Sequence, residues 1–201
     1  MTLSQAEEEP MHQPDEDDAA IIARSLGRPE RFAAIFDRHA PHIQRYLARR
    51  LGAQVADDLV AETFLVAFGK RAGYDPARPD ARPWLYGIAT NLVRQHHREE
   101  AREYRLRASI APEPDQDGHA DRVAAQVTAA AMHRMLAEAL AGLSAGDRDV
   151  LLLIAWEGLT YEEVAGALVI PVGTVRSRLN RARKQVRAAL TASTKEPANH
   201  G

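Results

Sequence analysis

The sequence contains no cysteine, which excludes disulfides, iron–sulfur clusters and thiolate zinc sites. Aromatic residues are sparse, at 5% of the chain. A core must therefore come from small aliphatic side chains, and the abundance of Ala, Leu and Arg favours helices over strands. No run approaches the roughly 20 apolar residues of a membrane span, and the N-terminus lacks a secretory-signal pattern. Also missing are a glycine-rich phosphate loop, a nucleophile elbow and a carboxylate dyad. No enzyme active site, cofactor or small-molecule substrate is expected. A cytoplasmic helical protein that works by binding fits these absences.

The formal net charge of −2 conceals an asymmetry. Between Met1 and Asp18 every ionised side chain is acidic: Glu7, Glu8, Glu9, Asp15, Glu16, Asp17 and Asp18. Between Val164 and Thr194 every one is basic: Arg176, Arg178, Arg181, Arg183, Lys184 and Arg187. Opposite ends cancel, so near-neutrality does not argue against a polyanionic partner.

Residues 1–19 are polar, acidic and broken by Pro10 and Pro14, and are expected to form a mobile tail. Helical periodicity marks a first domain over 20–107. It begins with Phe32, Ile35, Phe36, Ile43, Tyr46 and Leu47, where Pro41 either kinks one helix or opens a second. A helix over about 56–71 is apolar around more than one stripe, and a third follows from Trp84. Residues 108–122, with Pro112, Pro114 and Gly118, read as a linker. A second domain over 123–190 and a short tail over 191–201 complete an all-α, two-domain architecture. Within that second domain, Ser144 and Asp147 form a capping box with Asp in place of Glu, and Thr160 with Glu163 forms the usual one.

The stretch from Thr160 to Arg187 has the parts of a helix-turn-helix: a capped short helix, a tight turn and a long basic helix. Val172, Val175, Leu179, Ala182, Val186 and Ala189 supply one apolar stripe. Arg176, Asn180, Arg183 and Arg187 share another face, where Arg reads guanine and Asn reads adenine in a major groove. Thr174 lies near the N-terminus, where backbone N–H groups favour a phosphate. No acid is interspersed to neutralise these cations, which separates this helix from an ordinary solvated basic surface.

Two sets of residues resemble the extracytoplasmic-function sigma factors of the sigma-70 family. The run from Glu157 to Ala165, followed by Ile170 to Arg183, resembles region 4. The run Asp57-Asp-Leu-Val-Ala-Glu-Thr-Phe64 resembles region 2.2, and Pro83 to Leu92 the start of the promoter-melting segment. Val169 departs from the Gly that often precedes the Ile-Pro of that turn, and is strained if the turn needs a positive φ.

The resemblance implies core RNA polymerase and promoter DNA as partners, together with an anti-sigma factor of the kind family members commonly have. Thr174, Arg176, Ser177, Arg178, Asn180, Arg181, Arg183, Lys184 and Arg187 become candidates for −35 binding. Trp84, Asn91, Arg94, Gln95 and Arg98 become candidates for capturing unstacked −10 bases, although core packing suits Trp84 equally well. Asp57, Asp58, Leu59, Glu62 and Phe64 become candidates for docking on polymerase. The pairs His39/His42 and His96/His97 lack a carboxylate at a ligand spacing. They read as surface or phosphate-facing histidines, and no metal is expected. A receiver domain would need alternating strands and helices, which 20–107 does not show. An adaptor whose basic helix binds an acidic protein stays open as an alternative.

Overall fold

The computed structural model describes residues 16–110 and 126–194. These fold into eight α-helices and two short 3-10 turns, with no strand among the described residues. The helices are α1 (Asp18–Ser25), α2 (Ala33–Leu51), α3 (Ala53–Lys70), α4 (Arg82–Ile110), α5 (Gln126–Ala141), α6 (Ala145–Ala155), α7 (Tyr161–Leu168) and α8 (Val172–Thr194). None is long and apolar enough to cross a membrane. The chain divides into two compact units, Met1–Leu92 and Val93–Gly201, with the division inside α4 rather than at the expected linker. Most of that linker, and the ends of both expected tails, lie outside the described residues.

Helix α1 occupies the end of the stretch expected to be a tail. Asp17 caps it by accepting the Ala20 N–H at 2.8 Å, and Ile21 and Ile22 are buried. Helix α2 runs through Pro41 as one helix, so the missing N–H of proline is absorbed without a break. Gly52 adopts φ 85°, a conformation that lets α3 begin two residues after α2 ends.

The core of the first unit joins α2 to α4. The rings of Tyr46 and Tyr86 meet edge to face at 5.3 Å, and the Tyr46 hydroxyl hydrogen-bonds Thr90 Oγ1 at 2.8 Å. Phe32–Phe68 and Phe36–Phe64 pairs hold α3 to this core. In the second unit, α5, α6 and α7 all pack on α8 around buried Val150, Leu153, Val164, Val175 and Leu179. Its capping box forms as expected. Thr160 Oγ1 accepts the Glu163 N–H at 3.2 Å, and the Thr160 N–H donates to Glu163 Oε2 at 2.7 Å.

Candidate nucleic-acid and partner interfaces

The turn between α7 and α8 is closed by Val169 at φ 53°, ψ 52°. It is the one non-glycine residue with positive φ among the described residues. A β-branched side chain is strained there, and this one is 88% exposed, so no packing compensates.

Helix α8 then presents its basic residues on two flanks. Val175, Leu179 and Ala182 are buried and fix the orientation. Arg176, Asn180, Arg183 and Arg187 are exposed on one flank, with Ser177 and Lys184 beyond them. The four cations of this set make no ion pair among the described residues. Thr174, Arg178 and Arg181 fall on the other flank, beside the start of α6. Arg181 donates from Nε and Nη2 to the two oxygens of Asp147, at 3.2 and 2.8 Å. That hydrogen bond holds the Asp147 carboxyl below its ordinary pKa, against the opposing effect of burial. Arg178 lies over Gly146, with Nη1 2.9 Å from where a Cβ on that glycine would stand. The predicted cap at Ser144 does accept the Asp147 N–H, at 3.2 Å, and the Asp147 carboxylate also reaches across to α8.

On α3, Asp57, Asp58 and Glu62 are exposed and make no ion pair among the described residues. Leu59 and Phe64 are buried and serve the unit's own core. Sequence reasoning missed Leu65, 72% exposed. Its spacing from Asp58 and Glu62, seven and three residues, puts all three on one face; that spacing was the available signal.

Along α4, Trp84 is half-buried, its ring 5.0 Å from that of Tyr74. Asn91, Gln95 and Arg98 are exposed on the same strip of helix. Gln95 donates to Glu99 at 3.0 Å. Arg94 stands about a quarter-turn aside and donates from Nε to the fully buried Asp149 at 2.6 Å; both residues belong to the second unit. Asn91 and Arg98 are thus the most available members of the predicted set.

His39 does not fit the surface role expected of it. It is 3% exposed, and its Nε2 lies 2.7 Å from Asp18 Oδ2. The partner comes from 21 residues away, which local spacing cannot reveal. Asp18, His39 and Asp80 have ligand atoms within 4.8 Å of one another. However, Asp18 also accepts from the Arg38 guanidinium and from the Ala81 N–H. A cation would have to displace those donors and sit beside a positive charge, so the cluster suits a hydrogen-bonded node better than a metal centre. His96 and His97 both lie against Glu100 on the exposed side of α4, at 3.4 and 3.2 Å.

Comparison with known families matches residues 35–103 to Sigma-70 region 2 and residues 133–186 to Sigma-70, region 4. The ECF RNA polymerase sigma factor SigC of Mycobacterium tuberculosis is 34% identical over 173 residues, covering 83% of this chain and 89% of SigC. SigL of the same organism is 37% identical over 160 residues, covering 78% and 87%. Among solved structures, CnrH in complex with the cytosolic domain of CnrY superposes with a TM-score of 0.61 at 28% identity, covering 87% of this chain and 97% of that one.

Proposed function

We propose, from the premise that this chain belongs to the extracytoplasmic-function RNA polymerase sigma factors of the sigma-70 family, a residue-level division of its work. It is a sigma factor for promoter-specific transcription initiation, acting where core polymerase acts, in the cytoplasm. Residues 20–107 bind polymerase and the −10 element, 123–190 read the −35 element, and 108–122 join them. The chemistry belongs to the polymerase; this chain is an initiation factor.

The observation that carries the reading is the flank of α8 with Arg176, Asn180, Arg183 and Arg187 exposed and its arginines in no ion pair among the described residues. It enters the major groove for −35 readout, with Lys184 and Ser177 toward phosphates. Arg178 and Arg181 hold α8 against α6 instead of reading bases. The Asp58, Glu62 and Leu65 face of α3 docks on core polymerase, combining charge with one exposed apolar contact. Trp84, Asn91 and Arg98 receive unstacked −10 bases, whose unpairing costs a few kcal/mol and must be offset by stacking and amide hydrogen bonds. An anti-sigma partner belongs to the same reading; CnrH was solved in complex with another protein, the cytosolic domain of CnrY.

Run-off transcription with core polymerase tests it. Initiation must require both this chain and a specific promoter. A promoter footprint by the chain that polymerase neither strengthens nor extends would favour an ordinary helix-turn-helix regulator.

A further inference from the structure

Asp18 opens α1 and is 2% exposed. Its N–H donates to the Pro79 carbonyl at 3.0 Å, and its Oδ2 accepts the Ala81 N–H at 2.8 Å. It therefore grips the backbone on both sides of residue 80. The same carboxylate binds Arg38 and His39 of α2. One side chain joins α1, α2 and the loop that leads into α4, through hydrogen bonds of which at least one is charge-assisted. Burial alone would raise the carboxyl's pKa, but His39, Ala81 and Arg38 together lower it.

The loop has its own internal shape. The Tyr74 hydroxyl donates to the Arg78 carbonyl at 2.7 Å, and Asp75 Oδ1 accepts the Ala77 N–H at 3.0 Å. These bonds make the loop compact, and Asp18 ties it to the helices. Tyr74, at the start of the loop, packs against Trp84, three residues beyond the Ala81 anchor. Where Asp18 holds the loop, it also sets where that ring pair stands.

We infer that Asp18 is a positioning residue for −10 capture: by fixing Pro79 and Ala81 it holds the loop and Trp84 where an unstacked base is received. This rests on the assignment of the Trp84–Asn91 surface to the −10 element. A residue before the region 2 match at 35–103 thereby tunes promoter opening without touching DNA.

The test uses the full chain with core polymerase, on a duplex promoter and on one whose −10 region is unpaired by mismatches. Asp18→Asn keeps the shape of the side chain and weakens the node; Asp18→Ala removes it. Both should retain core-polymerase binding and −35 recognition while open-complex formation on the duplex falls about tenfold, the effect of losing one charge-assisted hydrogen bond. Discrimination among −10 bases should flatten, and pre-unpairing should restore opening without restoring discrimination. A purely structural role predicts that polymerase binding falls in parallel with opening, and that result would overturn the inference. If the Ala variant does not fold, the Asn variant decides alone, with amide exchange at Ala81 as its second readout. Faster exchange there, with Thr90 unchanged, is expected; wild-type protection counts against the clamp. Asn91→Ala separates the two levels of argument. If it too leaves melting normal, the −10 assignment fails. If it impairs melting while both Asp18 variants keep wild-type discrimination, only the clamp fails.

Discussion

Along α8, Arg176, Arg183, Lys184 and Arg187 meet no carboxylate among the described residues, whereas much of the polar surface on the second half of α4 does. Arg94 is tied to Asp149, Gln95 to Glu99, His96 and His97 to Glu100, and Arg107 to Glu103. The contrast suits two nucleic-acid tasks. A helix entering duplex DNA gains from unneutralised charge along its length, since each phosphate neutralised releases counterions. A surface that receives flipped bases relies more on shape, stacking and amide hydrogen bonds. Of the candidate −10 residues on α4, Asn91 and Arg98 are left the most open, and Arg102 is exposed on the same strip.

The comparison breaks most visibly at Arg176. Arg176→Ala should weaken −35 binding by about 1–3 kcal/mol and relax preference at particular base pairs. Arg181→Ala should instead weaken all −35 sequences alike, because it loosens α8 from Asp147. A randomised −35 library giving the two variants the same altered preference would erase the two-flank division. Next in size, Asn91→Ala should reduce open complexes on duplex promoters about tenfold, with partial rescue on a mismatched −10 template. Permanganate footprinting reads both. Its salt dependence should match wild type, since no charge is removed.

Val169→Gly should raise the stability of the second unit by about 1 kcal/mol, the cost of holding an L-residue in the left-handed region. An unchanged urea midpoint would mean that the turn relaxes in solution. Lys184→Ala should leave base preference intact and reduce the salt slope of DNA binding by about one unit. The smallest effect concerns pH. The Asp147 carboxyl is held below its ordinary pKa, so its contribution to stability is present above the unfolded value of about 3.9 and is lost as pH falls through the folded one. Asp147→Asn should therefore flatten the acid limb of the second unit's stability, read by circular dichroism below about pH 4.

How much of this the sequence could disclose depended on the range of the interactions. The helix-turn-helix was legible because its signals are local: the Thr160 cap, the Val175–Leu179–Ala182 stripe and the Arg176–Arg187 face each lie within about three turns. The strain at Val169 was also local, and the structure places that residue at positive φ. Helix α1 was not legible. Asp18 looks like one more acid in an acidic run until Ala81, 63 residues on, supplies a hydrogen-bond donor. His39 was misplaced for the same reason. The resemblance put Arg176 and Arg181 in one −35 set; helical spacing separates them by about 140° but does not say which flank meets α6. Pro41 left two readings open, and packing decided for a continuous helix.

Gly146 shows how a missing methyl group can act at a distance. It sits inside the first turn of α6 and needs no unusual backbone angle; its use here is the vacancy above it, which the Arg178 guanidinium fills. An alanine at this position would evict that guanidinium, and the eviction is inexpensive because an arginine has many other rotamers. Freed from α6, Arg178 would swing outward from its flank of α8. Residue 146 thus decides whether the Arg178 guanidinium can rest against the first turn of α6.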